Sequence, residues 1–266
     1  MEQLKEIKVK NSTIVWLPIN ADQHTPESIH SSWCQSDFLF KEENIAHQTS
    51  GLRPPQIGGI FSALGYERSD NTTAATIVMP TGTGKTETIL SIVVAGHFKR
   101  TLVIVPSDAL REQTKNKFVQ LGLLRELGLI KDITLNPIVA TIKHGVDEHE
   151  HLDELLKSNV IVASASALAK FKSEYFVKLT EACTHLVVDE AHHITAATWV
   201  RVKSQFKDKS VFQFTATPFR SDGSRVEGKI IFNYPLKKAQ DEGYFKPIEF
   251  HPVREFVEEQ SDQSIA

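Results

Sequence analysis

A glycine-rich turn between an apolar run and an amphipathic run has the residue types that bind phosphate. Residues 75–79 are apolar or β-branched, residues 80–84 form the turn, and Lys85 and Thr86 open the next run. Glycines let backbone N–H groups curl around phosphate oxygens, and the start of a helix adds partial positive charge. A lysine placed here reaches β- and γ-phosphates, and the hydroxyl after it binds Mg²⁺. The stretch predicts a phosphate-binding loop (P-loop).

The strict form of this loop motif, G-x-x-x-x-G-K-[ST], fails at one position, because Met79 stands where the first glycine is usual. A bare Gly-Lys-Thr can occur by chance in a surface loop. The strand pattern before it and the helix pattern after it favour a nucleotide site. The predicted nucleotide contacts are Thr81, Gly82, Thr83, Gly84, Lys85 and Thr86.

Another apolar run, residues 184–189 (THLVVD), ends in the carboxylate Asp189, and a second carboxylate, Glu190, follows directly. A carboxylate at the tip of a strand can hold Mg²⁺ through water, and its neighbour can orient or deprotonate an attacking water. We therefore assign Asp189, with Thr86, to Mg²⁺ and Glu190 to the base, while Lys85 neutralises phosphate charge. The alternative is a pair of exposed acids at the start of a loop, which the presence of Lys85 disfavours.

Strands and helices alternate along the chain. Strands are predicted within residues 8–17 and at 75–79, 101–105, 137–142, 159–163, 184–189 and 210–214, and helices at 57–64, 87–97, 107–121, 121–133 (ending near 128), 147–157, 166–182 and 195–206. This order predicts an α/β fold, a mainly parallel sheet with helices on both faces. Ligands of such folds bind at the carboxyl ends of strands. Lys85, Pro106, Ser164, Asp189 and Thr215 each follow a predicted strand.

The composition excludes several classes of protein. The chain has 266 residues and a net charge of −3, so any nucleic-acid contact must use local patches and backbone amides. Its two cysteines, Cys34 and Cys183, form no CxxC pair, which disfavours a disulfide scaffold or zinc module and fits a reducing compartment. The charged first ten residues predict no signal peptide, and the short apolar runs predict no membrane span. We expect a cytoplasmic protein.

Further motifs around these residues resemble those of superfamily 2 DEAD/DEAH-box helicases. Residues 189–192 read DEAH, and residues 215–218 (TATP) are similar to the TAT motif that follows this box. Residues 79–86 match motif I in its looser form PTGTGKT, which accounts for Met79. The weaker matches are residues 105–113 to motif Ia, 162–168 to motif Ib and 52–56 to an adenine-reading Q motif, with Pro55 where an aromatic residue is frequent. The resemblance covers residues 52 to about 250.

The resemblance implies a RecA-like P-loop NTPase fold, with ATP and Mg²⁺ as cofactors. Gln56, whose amide suits the edge of an adenine, would read the base. His192, Thr215 and Thr217 would couple the nucleotide state to nucleic-acid grip, and Pro106, Ser107 and Ser164 would hold the phosphate backbone of one strand. Residues 214–220 (FTATPFR), 234–236 and 243–244 are similar to the branch of type III restriction subunits and DEAH-type DNA translocases.

The same resemblance implies a domain organisation. Residues 1–44 would be an N-terminal extension, 45–250 the first RecA-like domain, and 251–266 the start of a linker to a second RecA-like domain, supplied in cis or in trans. No later motif with paired arginines is present, so we expect poor activity without that domain. The leading hypothesis is a motor domain that acts on DNA. An RNA helicase domain and a non-catalytic, ATP-gated nucleic-acid-binding or assembly module remain the alternatives.

Overall fold

The computed structural model describes residues 5–16, 24–44, 46–69, 73–220 and 223–244. Its strands are β1 (Lys5–Val9), β2 (Ser12–Trp16), β3 (Ala75–Val78), β4 (Thr101–Val105), β5 (Val139–Ile142), β6 (Val160–Ser164), β7 (His185–Val188), β8 (Ser210–Thr215) and β9 (Lys229–Asn233). Its α-helices are α1 (Pro26–Gln35), α2 (Pro54–Glu67), α3 (Lys85–Ala95), α4 (Asp108–Gln120), α5 (His149–Leu155), α6 (Ala165–Ala169), α7 (Ser173–Ala182), α8 (Ala196–Ser204) and α9 (Leu236–Asp241). The linker predicted at residues 251–266 lies outside the described residues.

The strands form one sheet in the order β1-β2-β5-β6-β4-β7-β8-β3-β9. In the part of the sheet that runs β5-β6-β4-β7-β8-β3-β9, all neighbouring strands are parallel. Strands β1 and β2 form an antiparallel hairpin, and β2 pairs antiparallel with β5. Because successive side chains of a strand point to opposite faces, each buried strand supplies two cores. In β4, Val103 and Val105 enter one core, whereas Leu102 and Ile104 enter the other.

Helices cover both faces of the sheet, as predicted. One core contains buried residues of α1 to α4, such as Trp33 and Phe118, and the other contains buried residues of α5 to α8, such as Leu152 and Trp199. The parallel pairing brings the carboxyl ends of β3, β4, β6, β7 and β8 to a common edge. That edge carries the residues for which the sequence predicts chemistry.

Two sequence-based expectations change. The helix predicted over residues 121–133 is wrong, because Leu121 and Gly122 take left-handed backbone conformations (φ +56° and +53°) that end α4 and start a run of turns. Its leucines still serve the core, where Leu121, Leu124 and Leu129 are buried. Residues 5–16 form the hairpin and α1 packs into a core, so the predicted N-terminal extension is integrated with the sheet; its boundary at residue 44 stays a prediction.

Candidate functional site

The P-loop connects β3 to α3. Gly82 and Gly84 have φ angles of +84° and +89°, which residues with a Cβ rarely adopt, and a Cβ on Gly84 would collide with the amide of Gln56. Met79 is fully buried in a core, and its N–H donates to the carbonyl of Thr215 at 2.9 Å. The position that is usually glycine therefore contributes packing here, while the next glycines shape the turn.

Donors hold the carbonyl groups of the loop. Lys85 Nζ donates to Met79 O at 3.2 Å, Thr83 Oγ1 to Pro80 O at 2.6 Å, Arg53 Nη1 to Gly82 O at 3.0 Å, and Gln56 Nε2 to Gly84 O at 3.3 Å. The first N–H groups of α3, by contrast, have no acceptor within their helix. This arrangement suits an anion at the start of α3, where the helix dipole adds positive charge.

The predicted acidic pair lies opposite the loop, directly after β7. Lys85 Nζ lies 3.2 Å from Glu190 Oε1, and the exposed fraction of the Lys85 side chain is only 9%. The N–H of Asp189 donates to Ile104 O at 2.8 Å, which ties the acid to the end of β4. Glu190 takes a left-handed conformation with φ +49°, at the point where the chain leaves β7 and enters a short 3₁₀ helix, Ala191–His193.

The buried Asp189 carboxyl is electrostatically unusual. Burial and, after it, the neighbouring Glu190 charge raise the pKa of Asp189 to about 6, although Lys85 and the N–H of Glu190 oppose the shift. Loss of hydration penalises the charged form of a buried acid, and a cation beside it restores that form. This electrostatic environment favours a bound cation at Asp189 when the carboxyl is ionised.

The donors present fit Mg²⁺. Asp189 and Thr86 line the same cavity as Gly84 and Lys85, and the buried Oε2 of Glu190 has no hydrogen-bond partner. Within the described ranges, no group of three or more His, Cys, Asp or Glu side chains is arranged to hold a metal ion. Mg²⁺ in phosphate sites takes only one or two protein ligands, with phosphate and water completing its shell. A hydroxyl and a carboxylate beside a P-loop match that requirement.

The predicted coupling residues form a connected chain of hydrogen bonds. His192 Nδ1 lies 2.8 Å from Thr215 Oγ1 and 3.5 Å from Glu190 Oε2. Thr215 Oγ1 donates to Thr217 O at 2.6 Å, and Thr217 Oγ1 donates to Phe219 O at 3.2 Å. Burial lowers the pKa of His192, so its ring favours the neutral form. The hydrogen bonds thereby link His192, two residues after Glu190, to the loop after β8.

Two adjoining cavities meet at Glu190. The first, of about 530 Å³, is lined by P-loop and acidic residues, by Gln56, and by apolar side chains that include Leu110, Leu123 and Leu127. The second, of about 630 Å³, is lined by Thr81, Pro106, Ser107, Leu110, Glu190, His192, His193 and Ala216. Glu190 therefore borders both the space beside the P-loop and the space beside the end of β4.

The predicted nucleic-acid contacts do not all reach the surface. Ser107 is exposed at the second cavity, where its hydroxyl caps α4 by accepting from Leu110 N at 3.3 Å; Pro106 is half-buried beside it. Ser164 is only 1% exposed, and its hydroxyl caps α6 by accepting from Ala167 N. The prediction for the Ser164 hydroxyl is therefore at odds with its burial. Ser166, whose Oγ lies 3.0 Å from Ser164 Oγ, carries an exposed hydroxyl in the first turn of α6.

Gln56 lies beside the P-loop, although its amide is engaged. Its Oε1 accepts from Arg53 N at 2.8 Å, and its Nε2 donates to Gly84 O. One Nε2 hydrogen and one Oε1 lone pair remain for a base. Sequence reasoning overlooked Arg53, Glu43 and Tyr244, which also adjoin the loop. Arg53 stands three residues before Gln56, a signal that could have been used. Tyr244 lies in one of the stretches that resemble the restriction-subunit branch, but nothing in that stretch predicts a contact with the P-loop.

The family described as type III restriction enzyme, res subunit, matches residues 49–220, more than half of the chain. The chain belongs to this family. The match confirms the resemblance to type III restriction subunits, and the sheet order with its P-loop confirms the α/β, RecA-like fold predicted for a superfamily 2 helicase domain. A search of the curated proteins finds no match.

Solved structures align with this chain at low sequence identity. A nuclease-deletion mutant of the Type ISP restriction-modification enzyme LlaGI, in complex with a DNA substrate mimic, aligns with a TM-score of 0.50 and 18% identity over 73% of this chain. The UvsW helicase from bacteriophage T4 aligns with a TM-score of 0.48 and 13% identity over 76% of this chain. This chain spans 20% of the LlaGI chain and 66% of the UvsW chain.

The sequence predicts no membrane span. Among the helices in the described ranges, none combines the length and the apolar character that a membrane crossing requires.

Proposed function

We propose that this chain provides the first motor domain of an ATP-dependent DNA helicase or translocase. The observation that carries the proposal is the approach of Lys85 Nζ to Glu190 Oε1, 3.2 Å apart, in a cavity that the P-loop and Asp189 also line. A phosphate-binding lysine and an acid able to act on water are thereby placed at one carboxyl-end edge of the sheet. This pairing supports phosphoryl transfer to water as the reaction class.

Each residue of the site has a proposed role in ATP hydrolysis. Thr86 and Asp189 would hold Mg²⁺, which when bound neutralises phosphate charge. The N–H groups at the start of α3 and Lys85 would hold the phosphates. A phosphate that attracts Lys85 releases Glu190 from its ion pair, and the freed carboxylate can then accept a proton from the attacking water. Nucleotide binding would in this way prepare the base for the chemical step.

The proposed coupling passes from Glu190 to the nearby His192 and then along the hydrogen-bond chain that begins at His192. His192 contacts both Glu190 and Thr215, and the loop after Thr215 borders the cavity that Pro106 and Ser107 line. Exposed hydroxyls and helix-start N–H groups there suit the phosphate backbone of one strand. DNA is favoured over RNA by membership in a restriction-enzyme family, in line with LlaGI, which was solved with a DNA substrate mimic.

We further propose that the motor needs a second RecA-like domain. Arg220 donates to Ile194 O and the Arg225 guanidinium lies over the Phe219 ring, so both arginines after the TAT motif have partners within this domain. An arginine finger supplied from elsewhere is worth about 10³- to 10⁵-fold in rate. We therefore expect this chain alone to bind ATP weakly and to hydrolyse it very slowly.

The test measures MgATP binding and ATP hydrolysis by this chain, alone and joined to a second RecA-like domain, with duplex DNA, single-stranded DNA or RNA. Glu190→Gln should retain binding and lower the hydrolysis rate of the joined protein by about 10²- to 10⁴-fold. Glu181→Gln is a matched control, because Glu181 is exposed on α7, which leads into the opposite end of β7. Its rate should equal that of the wild type.

Each contrary result has a definite meaning. An unchanged rate in Glu190→Gln would refute the assigned base, and rapid, nucleic-acid-stimulated turnover by this chain alone would refute the need for a second domain. Stronger stimulation by RNA than by DNA would support the RNA helicase alternative. Binding of ATP and nucleic acid without hydrolysis, even by the joined protein, would support the ATP-gated binding module.

A further inference from the structure

A cluster of three side chains, Glu43, Arg53 and Tyr244, lies beside the P-loop. They come from the segment before α2, the N-cap of α2 and the residue that follows α9 and its turn. Tyr244 Oη donates to Glu43 Oε1 at 2.6 Å, and the Arg53 guanidinium carbon lies 5.1 Å from the centre of the Tyr244 ring. Arg53 Nε is 4.0 Å from Glu43 Oε2. Each of the three side chains thus lies next to the other two.

The cluster contacts the P-loop at Gly82. Arg53 Nη1 donates to Gly82 O at 3.0 Å, and a Cβ on Gly82 would lie 2.9 Å from the backbone carbonyl oxygen of Tyr244. Glu43, Arg53 and Gly82 line the 530 Å³ cavity, whereas Tyr244 adjoins them from outside it. Burial raises the pKa of the Tyr244 hydroxyl, which therefore stays protonated and able to donate to Glu43.

The orientation of Gly82 matters for anion binding. In a P-loop the backbone must keep one shape around the phosphates. The peptide unit between Gly82 and Thr83 is fixed at both ends, because its carbonyl accepts from Arg53 and its N–H donates to Pro80 O at 3.3 Å. Arg53 holds that carbonyl, and its long side chain loses considerable rotamer freedom in doing so. The Tyr244 ring and the Glu43 carboxylate restrict the guanidinium before a nucleotide binds. Less conformational entropy is then lost when Arg53 holds the loop in the shape that binds phosphate.

We propose that Tyr244 is a positioning residue of the nucleotide site, acting through Arg53 to hold the P-loop at Gly82. This inference rests on the proposed function, because it assumes that the cavity binds a nucleoside triphosphate. Tyr244 also precedes the segment for which the sequence predicts the linker to a second domain. The P-loop would thus be supported by the part of the chain that leads toward the second half of the motor.

The chain offers a matched control with the same chemistry. Tyr234 donates its hydroxyl to Glu242, and Lys238 Nζ lies 5.1 Å from the centre of its ring. This second tyrosine, carboxylate and cation trio lines neither of the two cavities at the site. Substitution of Tyr234 therefore removes an equivalent set of contacts without touching Gly82.

The experiment titrates a fluorescent ATP analogue with Mg²⁺ into the full 266-residue chain and records the Kd, with Tm measured in parallel. Tyr244→Leu should raise the Kd by about tenfold, the scale of a partly desolvated cation–π contact. Tyr244→Phe keeps the ring and should raise it by only about threefold, the scale of one hydrogen bond. Tyr234→Phe should leave the Kd unchanged, whatever its effect on Tm.

A double-mutant cycle tests whether Tyr244 acts through Arg53. If it does, the Arg53→Ala/Tyr244→Leu double variant binds no more weakly than Arg53→Ala alone. Full additivity in this cycle, or a Tyr244→Leu Kd equal to that of the wild type, would overturn the inference while nucleotide binding itself stands. If Tyr244→Leu does not fold, a wild-type Kd for Tyr244→Phe overturns it equally. Absence of saturable binding by the wild type would overturn the proposed function as well.

Discussion

His192 and Thr215 are joined side chain to side chain, with 2.8 Å between Nδ1 and Oγ1. Because Thr215 uses its own hydroxyl hydrogen to donate to Thr217 O, its oxygen must accept from His192, which therefore carries a proton on Nδ1. The ring thus has a defined tautomer, set by an element outside the nucleotide cavity. One histidine connects the loop that carries Glu190 to the end of β8.

This geometry predicts that His192 couples the binding of ATP to the affinity for DNA and contributes little to nucleotide affinity. His192→Ala should leave the Kd for MgATP within about twofold, because the P-loop contacts remain. It should abolish the difference in DNA affinity between the ATP-bound and nucleotide-free states, a coupling that is typically about 5- to 150-fold in allosteric proteins. The measurement is the Kd for single-stranded DNA with and without MgATP, in this chain joined to a second RecA-like domain.

His193→Ala is the appropriate control, because His193 is the adjacent, exposed histidine and its ring packs beside that of His192 at 4.0 Å. The control should preserve the effect of ATP on DNA affinity. Equal loss in both variants would mean that the contact between the two rings, and not the His192–Thr215 hydrogen bond, carries the coupling.

Gln56 is predicted to serve both the base and the loop. Gln56→Ala removes the hydrogen bond to Gly84 O, which should weaken ATP and GTP alike by several-fold, about the worth of one hydrogen bond. Loss of adenine contacts should weaken ATP further, so the preference for ATP over GTP should fall. Competition titrations with the two nucleotides measure both effects. An equal loss for ATP and GTP would show that Gln56 only supports the loop.

The sequence predicted which residues meet at the edge of the sheet that carries the candidate site, because the determinants of that edge are local. Residues 101–105 are β-branched and apolar, Pro106 follows, and Ser107 caps the next helix, so each boundary has its own chemical cause. The same holds for the P-loop and for the acids that end β7. Once strands alternate with helices, parallel pairing brings these ends together without further information.

Other features depend on partners that are distant in the chain. The antiparallel addition of β2 to β5 becomes visible only when the sheet exists. Thr25 and Pro26 do signal the start of α1, with Thr25 accepting from Ser28 N at 3.2 Å. Tyr244 meets Glu43, 201 positions away in the sequence, and no local pattern predicts such a contact.

The two cysteines should differ sharply in reactivity. Cys183 is fully buried and burial raises its pKa to about 12, whereas Cys34 is exposed on α1. Since the thiolate is the reactive form, a thiol reagent at pH 8 should modify Cys34 rapidly and Cys183 only when the chain unfolds. Titration should give one reactive thiol in the native protein and two in denaturant. Cys34→Ser should leave no rapidly reacting thiol, and a fast residual reaction would show that the core opens readily.

His151 predicts an acid-sensitive contact between the N-terminal hairpin and α5. Its side chain is 2% exposed, Nε2 lies 2.8 Å from Ser12 Oγ, and Nδ1 has no hydrogen-bond partner. Burial lowers the pKa of His151 and Lys10 lowers it further, against the opposing charges of Asp147 and Glu148. The unfolded chain therefore takes up this proton first as pH falls, so the stabilising contribution is present above the unfolded pKa, near 6.5, and is lost as pH falls through the folded value.

The expected result is a smaller dependence of stability on pH when this histidine is replaced. Thermal unfolding between pH 7.5 and 5 should show Tm falling with acidity less steeply in His151→Gln than in the wild type. His149→Gln is the matched control, because His149 lies on the same helix but is exposed, beside Tyr175 and Lys178. Its profile should follow that of the wild type. If His151→Gln retains the wild-type slope, the acid sensitivity comes from groups other than His151, since the unfolded chain would then gain no advantage from its protonation.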